Sequence, residues 1–107
     1  MKRALQLIVL CGLIAALIVP SLAFADAAAD YKAKCQACHG PNGVPSAGMA
    51  KSMGLKPLSG ADVQGMSDAD LTSVITDGKG KMPGYKAKGL SDGQISDLVK
   101  YIRAMKK

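Results

Sequence analysis

Three residues with chemically useful side chains lie within one short segment, Cys35-Gln36-Ala37-Cys38-His39. Two thiols at this spacing can form a disulfide, act as a redox-active dithiol, ligate a metal or become joined to a cofactor. The histidine that follows directly adds an imidazole ring, a common ligand of metal ions. The segment therefore predicts redox or cofactor chemistry, and its surroundings decide among these alternatives.

The surroundings favour the cofactor. A thioredoxin-like dithiol belongs to a βαβ pattern, whereas the alanine- and lysine-rich residues 27–34 predict a helix before Cys35. A structural zinc site needs about four protein ligands, and His39 is the only histidine in the chain. Covalent haem attachment uses all three residues, because two thiols can add to the two porphyrin vinyl groups and place the histidine beneath the iron. One such motif predicts one c-type haem, with a haem-free dithiol as the alternative.

A second iron ligand would have to come from elsewhere, and Met82 is the best placed methionine. It lies in a stretch rich in glycine and proline, which predicts a tight loop that can present its sulfur to a ring face. Met49 and Met53 are four residues apart and Met105 continues the apolar stripe of the last helix, so packing explains these three. Met66 is the remaining competitor. A thioether opposite a histidine stabilises reduced iron and raises its potential.

The first 25 residues have the pattern of an export signal. Two basic residues precede the uncharged, apolar run 4–19, and Ala23 and Ala25 are the small residues that signal peptidase requires. The run has 16 residues, which is short for a membrane span of about 20. We therefore predict that residues 1–25 are cleaved, that residues 26–107 form the mature domain, and that it is exported to the periplasm without a membrane span.

The composition of the predicted mature domain calls for something that completes its core. It has 82 residues, a formal charge of +4, eleven glycines and only three aromatic residues, all tyrosine. A domain this small and this poor in rings has difficulty burying enough apolar surface. Haem is a large apolar ring and would supply it. Cys11 leaves with the signal and has no predicted role.

The remaining pattern predicts an all-α domain without internal repeats. Helices are expected over residues 27–38 and 47–53. Ser67 begins a capping-box-like sequence, and the helix that follows should end near Gly78, in the left-handed conformation. Ser91 caps the last helix, whose apolar residues recur at helical spacing. No segment alternates like a strand over more than a few residues.

These features together resemble a small bacterial class I c-type cytochrome with a single haem, over nearly all of residues 27–107. The resemblance implies three to five helices around the haem, with the N- and C-terminal helices crossing. In that family a small residue, usually glycine, and an aromatic residue of the first helix meet an aromatic of the last. Ala27 and Tyr31 occupy those two positions here, and Tyr101 is the natural partner.

The resemblance also assigns the haem site. It implies that Cys35, Cys38, His39 and Met82 hold the haem, with His39 and Met82 on the iron and Met82-Pro83 in the family's ligand loop. A backbone carbonyl in the loop after His39 would orient its ring.

The function implied is that of a soluble electron carrier rather than an enzyme. A haem enzyme or ligand-sensing domain with an open iron site is the alternative, but a peroxidase-like site needs a distal His or Arg. The expected partners are redox proteins with acidic docking patches, met by a monomer; nucleic-acid binding is not expected. The docking face would carry lysines on both sides of Met82, which otherwise form only a solvated surface: Lys79, Lys81, Lys86 and Lys88.

Overall fold

A computed structural model describes residues 21–106 of the chain, and within this range the fold is all-α, with helices and no strand. We number the helices α1 to α6 in chain order. Two of them, α2 and α4, comprise only four residues each. The helices are α1 (Ser21–Lys34), α2 (Gln36–His39), α3 (Ala47–Met53), α4 (Ala61–Gln64), α5 (Asp68–Asp77) and α6 (Asp92–Arg103).

Serine caps fix where three of these helices begin. Ser46, Ser67 and Ser91 each have an extended backbone, and their hydroxyls accept hydrogen bonds from amides three residues later. Each cap satisfies one of the free N–H groups of a first helical turn, which contributes about 1 kcal/mol. Ser91 forms the complete capping box, because the side chain of Gln94 also accepts from the Ser91 amide at 2.9 Å. The starts of α3, α5 and α6 agree with the sequence predictions.

The first and last helices pack against each other, as predicted. α1 buries only Ala27 and Tyr31, each 1% exposed, and the Tyr31 ring lies 5.2 Å from the ring of Tyr101. α6 supplies four buried aliphatic residues from one face, and it also packs against α5. The core thus lies between α1, α5 and α6, and contains one fully buried aromatic residue, Tyr31.

Two hydrogen-bonding side chains fasten the segment around α4 to α6. The Gln64 amide nitrogen donates to the carbonyls of Leu58 and Ile102, at 2.8 and 2.9 Å. Arg103 donates to the Asp68 carboxylate at 2.9 Å, to the Gln64 carbonyl at 2.8 Å and to the carbonyl of Met66. The stretch between α3 and α5 is therefore held against α6 by the Gln64 side chain, which donates to the Ile102 carbonyl, and by its carbonyls of Gln64 and Met66, which accept from Arg103.

The boundaries differ from the predictions in three places. α1 already includes residues 21–26, ahead of the predicted start at residue 27, and it ends at Lys34 instead of running through Cys38. The four-residue helix α4 was not predicted. Gly78 ends α5 with φ +81° and ψ 172°. This ψ lies outside the left-handed helical region that was expected, but the positive φ still favours glycine. Most of the predicted signal, residues 1–20, lies outside the described residues; the predicted cleavage point lies within α1.

Candidate functional site

The cysteine segment consists of Cys35 and the one-turn helix α2, directly after α1. α1 ends at Lys34, and Cys35 then precedes the short helix α2. The carbonyl of Cys35 accepts the amides of Cys38 and His39, at 3.2 and 3.0 Å, while its own amide donates to Tyr31 at 2.8 Å. Residues three apart in such a turn lie on one side of it, and both half-buried cysteines line the same cavity. Cys35, Cys38 and His39 are therefore brought together as predicted.

The pKa of Cys35 argues against a redox dithiol. Cys35 and Cys38 are both free. Burial, assisted by the nearby carboxylate of Asp30, raises the pKa of Cys35 to about 11. Reactive cysteines have a pKa lowered below about 8.5, since the thiolate is the nucleophile. The described residues also hold no cluster of three or more His, Cys, Asp or Glu side chains placed for a metal ion, which disfavours zinc.

One ring nitrogen of His39 is enclosed by protein. Nδ1 is buried and has no hydrogen-bond partner among the described residues, so the expected carbonyl of the following loop does not accept from it. Burial also lowers the pKa of His39, which favours the neutral ring. A neutral imidazole is the form that ligates metals. Because Nδ1 is enclosed, Nε2 is the nitrogen that can serve as a ligand.

Met82 lies in a tight turn that closes on itself. Its amide donates to the carbonyl of Lys79 and its carbonyl accepts from the amide of Lys79, both at 3.0 Å. Gly78 precedes the turn with φ +81°, and a Cβ there would lie 2.5 Å from the Met82 carbonyl oxygen and 2.7 Å from the Gly84 amide nitrogen. The close packing of the turn against residue 78 is therefore possible only with glycine at that position. The half-buried Met82 side chain lines a cavity together with the cysteine segment.

Two adjoining cavities separate the cysteine segment from the methionine turn. Four residues line both of them: Cys35, His39, Leu55 and Met82. One, which we call the inner cavity, is lined mostly by aliphatic side chains: Leu58, Val63, Leu71, Val74, Ile75, Leu98 and Ile102. The other, which we call the outer cavity because several exposed lysines line it, adds Lys34, Cys38, Met53, Lys79, Lys81, Pro83 and Tyr85. The two ligands predicted from the sequence thus lie in the same apolar space.

None of the other described methionines borders both cavities. Met66 lines only the inner cavity and Met53 only the outer one. Met105 packs against the core, and Met49 lines neither cavity. Among the described methionines, Met82 alone borders both cavities, beside the histidine in each.

The predicted lysine cluster divides into two pairs. Lys79 and Lys81 line the outer cavity, where Lys34 joins them. Lys86 lies 3.5 Å from the Asp92 carboxylate, and Lys88 lies over the ring of Tyr85 at 5.8 Å. Neither Lys86 nor Lys88 lines either cavity. The lysines beside the cavities are therefore Lys34, Lys79 and Lys81 at the outer one and Lys56 at the inner one.

The sequence did not identify several residues that shape the site. Leu55, Leu58 and Val63 lie in a stretch without helical periodicity, so only tertiary structure reveals that they form a wall. Tyr85 lies three residues after Met82, and its hydroxyl donates to the Lys34 carbonyl at 2.8 Å. Its position directly after Pro83-Gly84 marked a loop, but gave no indication of this long-range bond.

The cavities fit a haem by their chemistry. Free thiols, an enclosed imidazole and a thioether border an otherwise aliphatic space, which suits an apolar ring carrying a central iron. Arg103 is not available as a distal acid–base group, because its donors bind Asp68, Gln64 and Met66. Within residues 21–106, none of the helices has the length and apolar character needed to cross a bilayer.

Comparison with known proteins supports the same assignment. A family model described as cytochrome c oxidase, cbb3-type, subunit III matches residues 23–102. Among solved structures, the KustC0563 c-type cytochrome is similar, with a TM-score of 0.67 and 27% identity, over 75% of this chain and 96% of that chain. No curated protein matches the chain. The cofactor is one covalently bound c-type haem with its iron, and the role is haem-based electron transport. The chain belongs to the cytochrome c family of the cbb3-type oxidase subunit III.

Proposed function

We propose that the protein is a soluble one-electron carrier whose c-type haem is joined to Cys35 and Cys38, with His39 and Met82 as the two iron ligands. The observation that carries the proposal is that His39 and Met82 border the same two cavities, with Cys35 in both and Cys38 in the outer one. When bound, the haem supplies an iron that gains and loses one electron. The protein's part is to hold that group in an apolar space.

Attachment needs only the two thiols and no oxidant. Cys35 and Cys38 would each add one S–H across a vinyl group, which would take up both the sulfur and the hydrogen, so no atom would leave. The free thiols of Cys35 and Cys38, on one side of a tight turn, suit it.

The ligand assignment follows from how His39 and Met82 are held. Enclosure of Nδ1 leaves Nε2 of His39 for the iron. Met82 is preferred over Met66 because it borders both cavities and lies in a loop across from the cysteine segment. The Met66 backbone is instead tied to α6 through Arg103. A thioether in this place raises the reduction potential.

Saturation of the iron by two side chains favours transport over catalysis. An open-site haem enzyme or gas sensor needs a free iron face, and a peroxidase-like site also needs a distal His or Arg. His39 is the only histidine of the chain, and Arg103 is engaged away from the cavities. The described residues that line the cavities offer lysines and two tyrosines, Tyr31 and Tyr85, as their only other polar side chains.

The exported state and the docking face are part of the proposal. Residues 1–25 are interpreted as a cleaved signal, which leaves residues 26–107 in the periplasm as a monomer. Redox partners with acidic patches would approach the outer cavity, whose lysines are Lys34, Lys79 and Lys81. Opposite charges increase the rate of such encounters more than they increase affinity.

The test is a spectrum and a mass of the protein purified from the periplasm. We expect a mass equal to residues 26–107 plus one haem, and colour that stays with the polypeptide in acid–acetone. The weak absorption band at the red end, which arises from sulfur bound to oxidised iron, should be present. Its absence would exclude Met82 and Met66 alike, and extraction of the colour would exclude thioether attachment.

A further inference from the structure

Two tyrosine hydroxyls hold the cysteine segment, one at each end. The Tyr31 hydroxyl donates to the carbonyl of Gly40, at 2.6 Å, directly after His39. The Tyr85 hydroxyl donates to the carbonyl of Lys34, at 2.8 Å, directly before Cys35. The two bonds resemble each other chemically. They differ in what else each tyrosine is attached to.

Through its hydrogen bonds Tyr85 joins three parts of the molecule, whereas the hydrogen bonds of Tyr31 join neighbouring ones and only its ring reaches α6. The Tyr85 amide donates to the carbonyl of Ile75, in α5, at 2.8 Å, and its carbonyl accepts from the amide of Leu90 at 3.0 Å. Its backbone is therefore fixed beside α5 and the start of α6. Its hydroxyl then reaches 51 residues back along the chain, to the end of α1. Tyr31 reaches only nine residues forward.

The methionine turn depends on such outside attachments. The amide and carbonyl of Met82 are both used within the turn, on Lys79, so they fasten the turn to nothing else. On one side, the Gly78 amide anchors the chain to Val74 in α5, at 2.9 Å. On the other side, the next anchored residue is Tyr85, three positions after Met82. Of these two anchors, only Tyr85 reaches the cysteine segment.

We propose that Tyr85 is a positioning residue for Met82: its hydroxyl bond to the Lys34 carbonyl holds the methionine turn against the cysteine segment and so maintains the Met82–iron bond. The inference rests on the proposed His39 and Met82 ligation. Loss of the hydroxyl leaves the ring and the backbone anchors in place. Only the bond between the methionine turn and the end of α1 is lost. An added ligand should then displace Met82 from the iron more easily.

The test compares Tyr85→Phe with Tyr31→Phe by titration with imidazole. Imidazole competes with Met82 for oxidised iron, and loss of the red-end sulfur band reports the exchange. A net hydrogen bond of ordinary strength corresponds to about a two- to tenfold change in an equilibrium constant. We expect Tyr85→Phe to bind imidazole more tightly by about that factor. Tyr31→Phe, which also loses one hydroxyl from the same segment, should match the parent protein.

Each result separates one explanation from the others. If both variants change equally, the hydroxyls only stabilise the fold and Tyr85 has no positioning role. If Tyr85→Phe matches the parent, the inference is wrong and the ligand assignment stands. If the parent itself lacks the sulfur band, the proposed ligation fails first.

Replacement of Tyr85 by 4-aminophenylalanine provides a rescue, because its N–H can still donate to the Lys34 carbonyl. Parent-like imidazole binding in this variant is expected. Binding as tight as in Tyr85→Phe would overturn the role of the hydrogen bond. If Tyr85→Phe fails to retain its haem, imidazole binding tighter than in the parent protein would overturn that role in the same way.

Discussion

The two halves of the proposed haem site are built in opposite ways. The cysteine segment is local: Cys35, Cys38 and His39 fall within one turn whose hydrogen bonds run between close neighbours. Met82 comes from a loop 43 residues further along the chain, and its side chain reaches the same cavities only because α5, Gly78 and Tyr85 place the loop there.

This difference teaches which half should be robust and which adjustable. A segment held by covalent attachment and short-range bonds keeps its geometry as long as it is helical. A ligand presented by a glycine turn depends on several long-range contacts, each worth about 1 kcal/mol. Small changes in the second half should alter ligation and potential, whereas changes in the first should abolish haem binding.

The largest effect is expected from the cysteine segment. Cys35→Ser combined with Cys38→Ser removes both attachment points, so haem should no longer be covalently bound and the small core should lose its largest apolar component. Absorbance of the purified chain, acid–acetone extraction and far-ultraviolet circular dichroism measure this. Cys11→Ser is the matched control and should leave the mature protein unchanged. Colour retained by the double serine variant would contradict thioether attachment.

Removal of the methionine ligand should open the iron without removing the haem. Met82→Ala is expected to eliminate the sulfur band, admit water or added ligands, and lower the potential, within the range of about 0.8 V that axial ligands set. Spectroscopy and redox titration measure both changes.

Met66→Ala is the control for this change, since Met66 lines the inner cavity and packs against the core. It should cost about 1–3 kcal/mol of stability through lost packing and keep the sulfur band. The reverse pattern, with the band lost in Met66→Ala alone, would transfer the ligand role to Met66.

The contrast between the two halves also explains how far the sequence could predict the site. Cys35, Cys38 and His39 lie within five consecutive residues, so their spacing alone brings them together. The serine caps predicted the starts of three helices. Met82 was chosen from the glycine and proline around it. The bond between Tyr85 and Lys34 could not be predicted, because it joins residues 51 positions apart without any sequence pattern.

Helix ends were harder to predict than helix starts, for a physical reason. Nothing in the residue types around Lys34 requires the break between α1 and α2 at Cys35. The short helix α4 has too few residues to show periodicity. Its position depends on hydrogen bonds from Gln64 and Arg103, which only the folded chain brings together.

Substitutions of Gly78, which precedes the methionine turn, and of Gly80, which lies within it, test whether the backbone conformation of this turn is needed for iron ligation. Gly78→Ala places a Cβ 2.5 Å from the Met82 carbonyl oxygen at a φ of +81°, so we expect a loss of about 1–3 kcal/mol and a weakened sulfur band. Gly80 has φ +59° with no atom within 4 Å of an added Cβ, so Gly80→Ala should cost only about 1–2 kcal/mol and leave the band intact. Thermal unfolding and the oxidised spectrum distinguish them. Equal spectra for the two variants would show that the close contact between Gly78 and the Met82 carbonyl does not control ligation of the iron.

The smallest effect concerns the lysines, and it acts on rate rather than on folding. If electrons leave beside the outer cavity, Lys79 and Lys81 attract an anionic oxidant locally, and Lys86 and Lys88 do so less because they do not line it. The double variants Lys79→Glu/Lys81→Glu and Lys86→Glu/Lys88→Glu change the net charge equally, so they separate local from global attraction. Oxidation by ferricyanide should slow several-fold more in the first pair.

Salt should reduce the parent's rate of oxidation by ferricyanide, because the Debye length is about 8 Å at physiological ionic strength. The rate with a cationic cobalt complex should rise with salt instead. Both variants should unfold within about 1 kcal/mol of the parent, as exposed charges contribute little to stability. Equal slowing in both pairs would mean that overall charge alone attracts the oxidant, and that the lysines beside the cavity have no special role.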